Sequence, residues 1–287
     1  MLIKLEAFMF EEFAEQAYEM AMIPEITSYP VYYDGIKTKE DFMERAEKAF
    51  ARENEEILLF YREDEFSGWI HFYALPEDQY LATVSMSARE GIEQMLDEFL
   101  VFAAQKYPDF SLYLGFPEEN QAALAHLQAL GFVIEEQSWN MVLHMASWKN
   151  NISEGSSLIT IGKENYSLFR QIHAQWDGKI YWDSQHIYED LPNWLVFVAM
   201  EHDHPIAAVY CMRGEFAEIF GIDFADGRYD GQTMKALLTA MIQACCTDGI
   251  TNLVYFCDDR EKPAVLDAGF SCIGKYIMVK RSVLAKM

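Results

Sequence analysis

Cationic side chains are scarce in this sequence. Its 287 residues hold 22 Lys and Arg against 46 Asp and Glu, a formal net charge of −24. Such a surface repels nucleic-acid phosphates and anionic lipid headgroups, so neither is expected as a partner. A buried anion binds only where local amides or cations overcome that field. Paired cysteines are also missing. The five present (Cys211, Cys245, Cys246, Cys257 and Cys272) are odd in number, confined to the second half, and spaced like neither a zinc site nor a disulfide framework. Reduced thiols, no metal and a cytoplasmic location are the expectation. No stretch approaches the about 18 apolar residues of a membrane span. The opening "MLIKLEAFMFEEFAEQ" puts acids where a signal peptide needs an unbroken apolar run, so a soluble intracellular protein is expected.

Apolar residues are plentiful: 51% of the chain, with 15% aromatic, enough to fill a core in each of two average domains. The second half repeats the first. "NQAALAHLQALGF" (120–132) and "REKPAVLDAGF" (260–270) both read as a short helix stopped by glycine, and Gly131 and Gly269 are 138 residues apart. "ILLFY" from Ile57 and "LVFVAM" from Leu195 share that offset. Each run leads through a polar turn, "REDEFSG" or "EHDHP", into a second β-rich run, "WIHFYAL" or "IAAVYCM", which is a hairpin pattern. Leu96, Phe99 and Leu100 on one amphipathic helix map at the same spacing onto Met234, Leu237 and Leu238 on another. Before the hairpins "LIKLEAFMFEEF" and "LITIGKENYSLF" align at an offset of 156, so the first copy is 18 residues longer in its helical region.

Each copy therefore reads as strand, one or two helices, hairpin, strand, long helix, strand, short helix, glycine, strand. That order makes a duplicated α/β fold with a mixed sheet. The expected organisation is a first domain over 1–147, a polar, small-residue linker over 148–157, and a second domain over 158–287.

The element order, together with "N-x-x-A-L-x-x-L-x-x-L-G-F" after a strand, resembles the GNAT superfamily of N-acetyltransferases across nearly the whole chain, twice over. The glycine supplies the left-handed residue that ends a helix, and Phe132 or Phe270 is then buried as the strand begins. The resemblance implies the acyl-CoA N-acyltransferase fold, with acetyl-CoA as co-substrate in a V between two central strands. It further implies a pyrophosphate loop, Q/R-x-x-G-x-G/A, opening the long helix, where glycines and a helix N-terminus present backbone amides to phosphate.

The first copy lacks that loop. "SARE" (87–90) reads as a capping box in which Ser87 occupies an amide and Glu90 repels an anion, so this domain is expected to be degenerate. The second copy offers "RYDGQT", with Arg228, Gly231 and Thr233 in the first, fourth and sixth places; Thr233 is bulkier than the expected Gly or Ala. Ile222 and Phe224 on the preceding strand, with Arg228, Tyr229, Asp230, Gly231, Gln232 and Thr233, form the expected cofactor set. Asp230 also suits an N-cap. The family's acid tyrosine, four residues before the glycine, is replaced by Leu127 and Val265, neither of which donates a proton. Tyr255 is the substitute candidate, with Cys257 beside it. A base near the thioester is expected, because an ammonium must lose a proton before it attacks. Glu218, a carboxylate inside an apolar strand, is the first candidate and Asp223 the second.

Aromatics beside acids suit a cationic amine acceptor: Trp176, Tyr181, Trp182, His186 and Tyr188 in the second copy, and Tyr29, Tyr32 and Tyr33 in the first. Packing of the interface between the copies is the leading expectation for most of them. "HDHP" (202–205) offers two histidines without a third ligand, and is read as an exposed turn rather than a metal site. The leading expectation is transfer of an acetyl group from acetyl-CoA to a primary amine of a small molecule or peptide, using the second copy. The alternative is an inactive ligand- or protein-binding module on the same scaffold. A thiol enzyme built on Cys257 or Cys245–Cys246 ranks third, since Cys245 lies on an apolar stripe with no base nearby.

Overall fold

The computed structural model describes residues 1–148, 157–214 and 217–282. The expected linker lies outside the described residues except for Trp148 and Ser157. The first copy runs β1 (Leu2–Lys4), α1 (Phe10–Ala21), α2 (Lys39–Glu47), β2 (Glu55–Arg62), β3 (Glu65–Leu75), β4 (Tyr80–Ala88), α3 (Ile92–Lys106), β5 (Ser111–Pro117), α4 (Gln121–Ala129) and β6 (Val133–His144). The second runs β7 (Ser157–Thr160), α5 (Tyr166–His173), α6 (Ser184–Glu189), β8 (Trp194–Glu201), β9 (His204–Met212), β10 (Ala217–Phe224), α7 (Gly231–Thr247), β11 (Asn252–Cys257), α8 (Lys262–Asp267) and β12 (Ser271–Arg281). This is the mixed α/β order that the doubled pattern predicts.

Two compact units emerge, one of Met1–Gln137 with 274–287, the other of Ser138–Ile273. They are not the contiguous stretches 1–147 and 158–287, because the final strand of each copy completes the other unit. In the first unit β12 pairs antiparallel with β5, from Tyr276 opposite Pro117 to Arg281 opposite Leu112. In the second β6 pairs antiparallel with β11, from Trp139 opposite Cys257 to His144 opposite Asn252. The strand orders are β1-β2-β3-β4-β5-β12 and β6-β11-β10-β9-β8-β7. Each parallel central strand thereby gains an antiparallel partner on its outer edge, which removes an open row of backbone donors and acceptors.

In the first unit one core joins α3 and α4 to the sheet through Met95, Leu96, Phe99 and Leu127, and another joins α1 and α2 through Phe13, Ala17, Phe42 and Trp69. In the second unit Met234, Leu237, Leu238 and Val265 fill one face, and Phe169, Ile172, Val198 and Tyr210 the other. Buried methyl and ring groups on helical spacing are what hold each helix down.

The repeated ending is the same in both copies. After α4, the Gly131 N–H bonds Gln128 O at 3.0 Å and the Phe132 N–H bonds Leu127 O at 3.0 Å. After α8, the Gly269 N–H bonds Leu266 O at 3.0 Å and the Phe270 N–H bonds Val265 O at 3.3 Å. These are Schellman caps, and they require the positive φ of +86° at Gly131 and +103° at Gly269. Phe132 and Phe270 are buried, as expected. Leu127 and Val265 are fully buried beside them, so the position that an acid tyrosine would occupy is the apolar half of the cap.

Both hairpins turn through two left-handed residues, Glu63–Asp64 and His202–Asp203, the pattern of a two-residue type I′ loop. "HDHP" is thus an exposed hairpin tip. The capping box expected at "SARE" is not formed. Ser87 lies buried in β4 opposite Trp69, and α3 begins at Ile92 with Gly91 at its N-cap and no side-chain cap. The strand runs one residue past Ser87 because β3 continues to pair with it, and a serine committed to a ladder cannot fold back onto a helix.

Candidate functional site

Parallel strands diverge at the same place in both units. β4 and β5 pair over only three residues, ending at Ala82 opposite Tyr113. β10 and β11 likewise pair over three, ending at Ile219 opposite Tyr255. A bulge against the neighbouring antiparallel strand accompanies each divergence, near Val84 in one case and at Phe220 in the other. A bulge bends its strand and strengthens its twist, which pulls the two carboxyl ends apart. The result is a V whose open end faces the start of the long helix, the place where open α/β sheets bind ligands.

The first V is filled by the chain itself. Ser28 N–H bonds Met86 O at 2.7 Å, Ala88 N–H bonds Ile26 O at 3.1 Å, and across the gap Tyr29 N–H bonds Gly115 O at 2.8 Å. The Ser28 hydroxyl accepts the Met86 N–H at 2.8 Å, and Thr27 forms an antiparallel bridge with Ser87. Asn120 Nδ2 donates to Thr27 O at 2.9 Å and holds the insert from the α4 side. Residues 26–29 belong to the long connection between α1 and α2, the region in which the first copy is longer. Thr27, Ser28 and Tyr29 are all buried.

The second V has no such insert. Among the described residues, none outside β9 bonds the backbone of Phe220–Phe224. At its mouth a turn over Ala225–Gly227, with Asp226 at φ +59° and Gly227 at φ +64°, leads into α7 at Gly231. All of the expected cofactor residues are brought to this one place. Ile222 and Phe224 lie on the diverging part of β10, Arg228 and Tyr229 on the turn, and Gly231, Gln232 and Thr233 in the first turn of α7. Tyr229 packs on Phe224 with ring centroids 5.6 Å apart. Gly231 has only Tyr229 within 4 Å of where a Cβ would stand.

The helix mouth is less free than the loop motif implies. Asp230 is the N-cap, and its carboxylate accepts the Thr233 N–H at 2.7 Å. Bonds from the Thr233 hydroxyl and amide hold the Asp230 carboxyl below the usual aspartate range. Thr233, bulky for its place in the motif, is the partner of that cap, which leaves the Gly231 amide uncapped. Asp258 and Arg260 pair with each other at 2.9 Å, while Arg228 is exposed with no ion pair to a described residue.

The two carboxylates proposed as a base differ in setting. Glu218 sits in the second of the three closed pairs, opposite Val254 and Met212, below the point of divergence. Asp223 lies beyond it and is buried. Its Oδ2 meets His173 Nδ1 at 2.7 Å and its Oδ1 accepts the Trp176 Nε1–H at 2.9 Å. His173 is fully buried, and its Nε2 lies 2.9 Å from the Trp182 carbonyl oxygen. A carbonyl only accepts, so Nε2 is the nitrogen that donates to it, and Nδ1 faces the Asp223 carboxyl. His173 carries no sequence signal; "RQIHAQW" holds a lone histidine on a helix, and only the fold sets it against a residue 50 positions away.

Tyr255 is fully buried at the last closed pair, and burial, then the Glu261 charge, pushes its hydroxyl well above the ordinary tyrosine value. Glu261, absent from the sequence-based candidates, is the carboxyl acting on it. Cys257 is buried too, and burial pushes its thiol up to about 12, which disqualifies it as a nucleophile. Most of the aromatics flanking this region pack within the unit: Trp182 on Trp194 and Phe220, Tyr188 on Tyr166, Tyr181 stacked on His186. Trp176 alone among them reaches Asp223.

Among the described residues no helix is long and apolar enough to cross a membrane, and no three His, Cys, Asp or Glu side chains cluster as metal ligands. No protein-family model and no curated protein matches the sequence. Solved structures do match the fold. A GCN5-related N-acetyltransferase from Sphaerobacter thermophilus superposes with a TM-score of 0.63 at 12% identity, over 98% of this chain and 95% of that one. A tandem GNAT protein from the clavulanic acid biosynthesis pathway gives 0.57 at 12% identity, over 98% of both chains. A glucosamine N-acetyltransferase region of a fungal multi-domain β-N-acetylglucosaminidase gives 0.61 at 8% identity, over 98% of this chain and 38% of that one. The chain has the mixed α/β fold of GNAT acyl-CoA N-acyltransferases.

Proposed function

We propose that the second unit transfers an acetyl group from acetyl-CoA to a primary amine of a small molecule or peptide. The observation that carries this is the unfilled V between β10 and β11, with the Gly231 amide and Arg228 at its open end, in a chain whose other V is filled. A diphosphate at the α7 mouth would place the pantetheine arm along the backbone of Phe220–Phe224. The thioester would then lie at the narrow end. The amine nitrogen attacks the thioester carbonyl, the C–S bond breaks, and the proton lost from nitrogen needs a base.

Asp223 serves as that base better than Glu218, because it lies on the diverging segment while Glu218 sits among the closed pairs. Exposed Trp176 gives an ammonium a ring face beside the carboxylate. Asp223→Asn is expected to lower kcat/KM by about 100-fold and Glu218→Gln by less than about threefold. The reverse order would reassign the base. The filled V of the first unit supports a structural role for that domain.

Calorimetry and thermal unfolding with acetyl-CoA test the reading directly. Ligand at a hundredfold excess over Kd should stabilise the protein by about 2.7 kcal/mol and slow amide exchange at Arg228 and Gly231. No binding at millimolar acetyl-CoA would leave the second reading, an inactive ligand- or protein-binding module. Asp230 favours that reading, since its carboxylate occupies the Thr233 amide that a phosphate would use.

A further inference from the structure

The acyl transfer proposed above leaves a thiolate that must be protonated, and the position four residues before Gly269 holds Val265. Glu261 lies one helical turn before Val265, so the two project from the same side of α8. The first copy has Ala123 at the equivalent place, 138 residues earlier and fully buried. The local backbone is the same in both. Asn120 Oδ1 accepts the Ala123 N–H at 3.2 Å, and Asp258 Oδ1 accepts the Glu261 N–H at 2.9 Å. A carboxyl therefore stands where the first unit buries a methyl.

Its surroundings come from several elements. The Asp258 N–H donates to the Glu261 Oε2 at 3.0 Å, and the Tyr255 hydroxyl of β11 stands close enough to lower the carboxyl. Tyr210 from β9 and Tyr229 from the α7 mouth stand within its electrostatic reach, as do Cys257, Asp258 and Arg260. Tyr210 packs against Gly221, where an added Cβ would come within 2.4 Å of the tyrosine oxygen, so Gly221 is what lets that ring lie against the diverging strand.

We propose that Glu261 is the general acid of the second unit, donating its proton to the CoA sulfur as the C–S bond breaks, with the Asp258 amide fixing the carboxyl. The amine forms the new C–N bond and gives its proton to the base. The sulfur takes the Glu261 proton, and solvent restores it. Burial raises the Glu261 carboxyl above the ordinary glutamate value; the bond from the Asp258 N–H opposes this, the Asp258 charge adds to it, and Tyr255 and Arg260 lower it less. A raised carboxyl keeps its proton nearer neutrality, so rate should fall as pH rises through that value. Folding stability follows the same sign: the contribution is full below the ordinary glutamate value and lost as pH rises through the raised one.

The assignment rests on the acyl-transfer reading, and the test separates the two. Calorimetry of the full chain with CoA and with desulfo-CoA, in two buffers of different ionisation enthalpy, reads proton exchange tied to the sulfur. Wild type should show a proton linkage for CoA that desulfo-CoA lacks, and Glu261→Gln should abolish it while binding both. Tyr255→Phe should keep the linkage and move its midpoint to higher pH, because a group that lowers the carboxyl is lost. An unchanged linkage in Glu261→Gln overturns the acid and leaves acyl transfer standing. Failure of wild type to bind either compound overturns both. With a mixed pool of primary amines, any turnover should fall about 100-fold in Glu261→Gln and lose its alkaline limb.

Discussion

The two V-shaped strand junctions start from the same geometry and end in opposite states. Each opens after three parallel pairs beside a bulge. In the first, residues 26–29 bond both walls and bury their own polar groups there. In the second, no described residue outside β9 bonds the backbone of Phe220–Phe224. A splayed pair of strands in water exposes unpaired N–H and C=O groups, and something must satisfy them. The first unit solves this within its own chain; the second leaves the solution to solvent or to a ligand. The capping residues mirror the contrast. Asn120 uses one amide arm to cap α4 and the other to hold the insert, whereas Asp258 in the matching position only ties its own turn.

The largest effect should come from breaking the insert. Ser28→Pro removes the donor to Met86 O and the hydroxyl that accepts the Met86 N–H, leaving two buried groups unsatisfied. A loss of about 2–4 kcal/mol by denaturant unfolding is expected, with faster exchange at Met86 and Ala88. A loss under about 0.5 kcal/mol would mean the insert is not what closes the first V. The mouth of the second comes next. Asp230→Asn keeps a capping oxygen and removes a negative charge, so acetyl-CoA should bind about three- to tenfold more tightly by calorimetry. Weaker binding would show that Asp230 does not compete with phosphate. The smallest effect tests the symmetry itself. Gly131→Ala and Gly269→Ala each put a Cβ at positive φ and should each cost about 1–2 kcal/mol, the same within error. Strongly unequal losses would show that the two caps have diverged in function.

Much of the scaffold was legible because it depends on neighbours in sequence. The glycine ends of α4 and α8, the two type I′ hairpins, and the apolar stripes of α3 and α7 follow from residues within a few positions of one another. The cofactor candidates fall together for the same reason, since Ile222 to Thr233 is one continuous strand–turn–helix stretch. "SARE" misled because Ser87 and Glu90 have capping spacing, and only β3 pairing shows that the strand extends through Ser87. Asp223 ranked below Glu218 on strand burial alone, yet Glu218 falls in the closed pairs and Asp223 beside His173. Glu261 escaped notice as one more acid in "CDDREKP", in a chain rich in acids.

By itself the sequence determined a duplicated strand and helix order, its turns and its caps, because these are set by local backbone preference and the period of apolar side chains. Tertiary structure alone decided which last strand completes which unit, which V the chain fills, and that Asp223 is buried against His173. Those outcomes are settled by hydrogen-bond partners 50 or more residues apart, whose meeting no local pattern encodes.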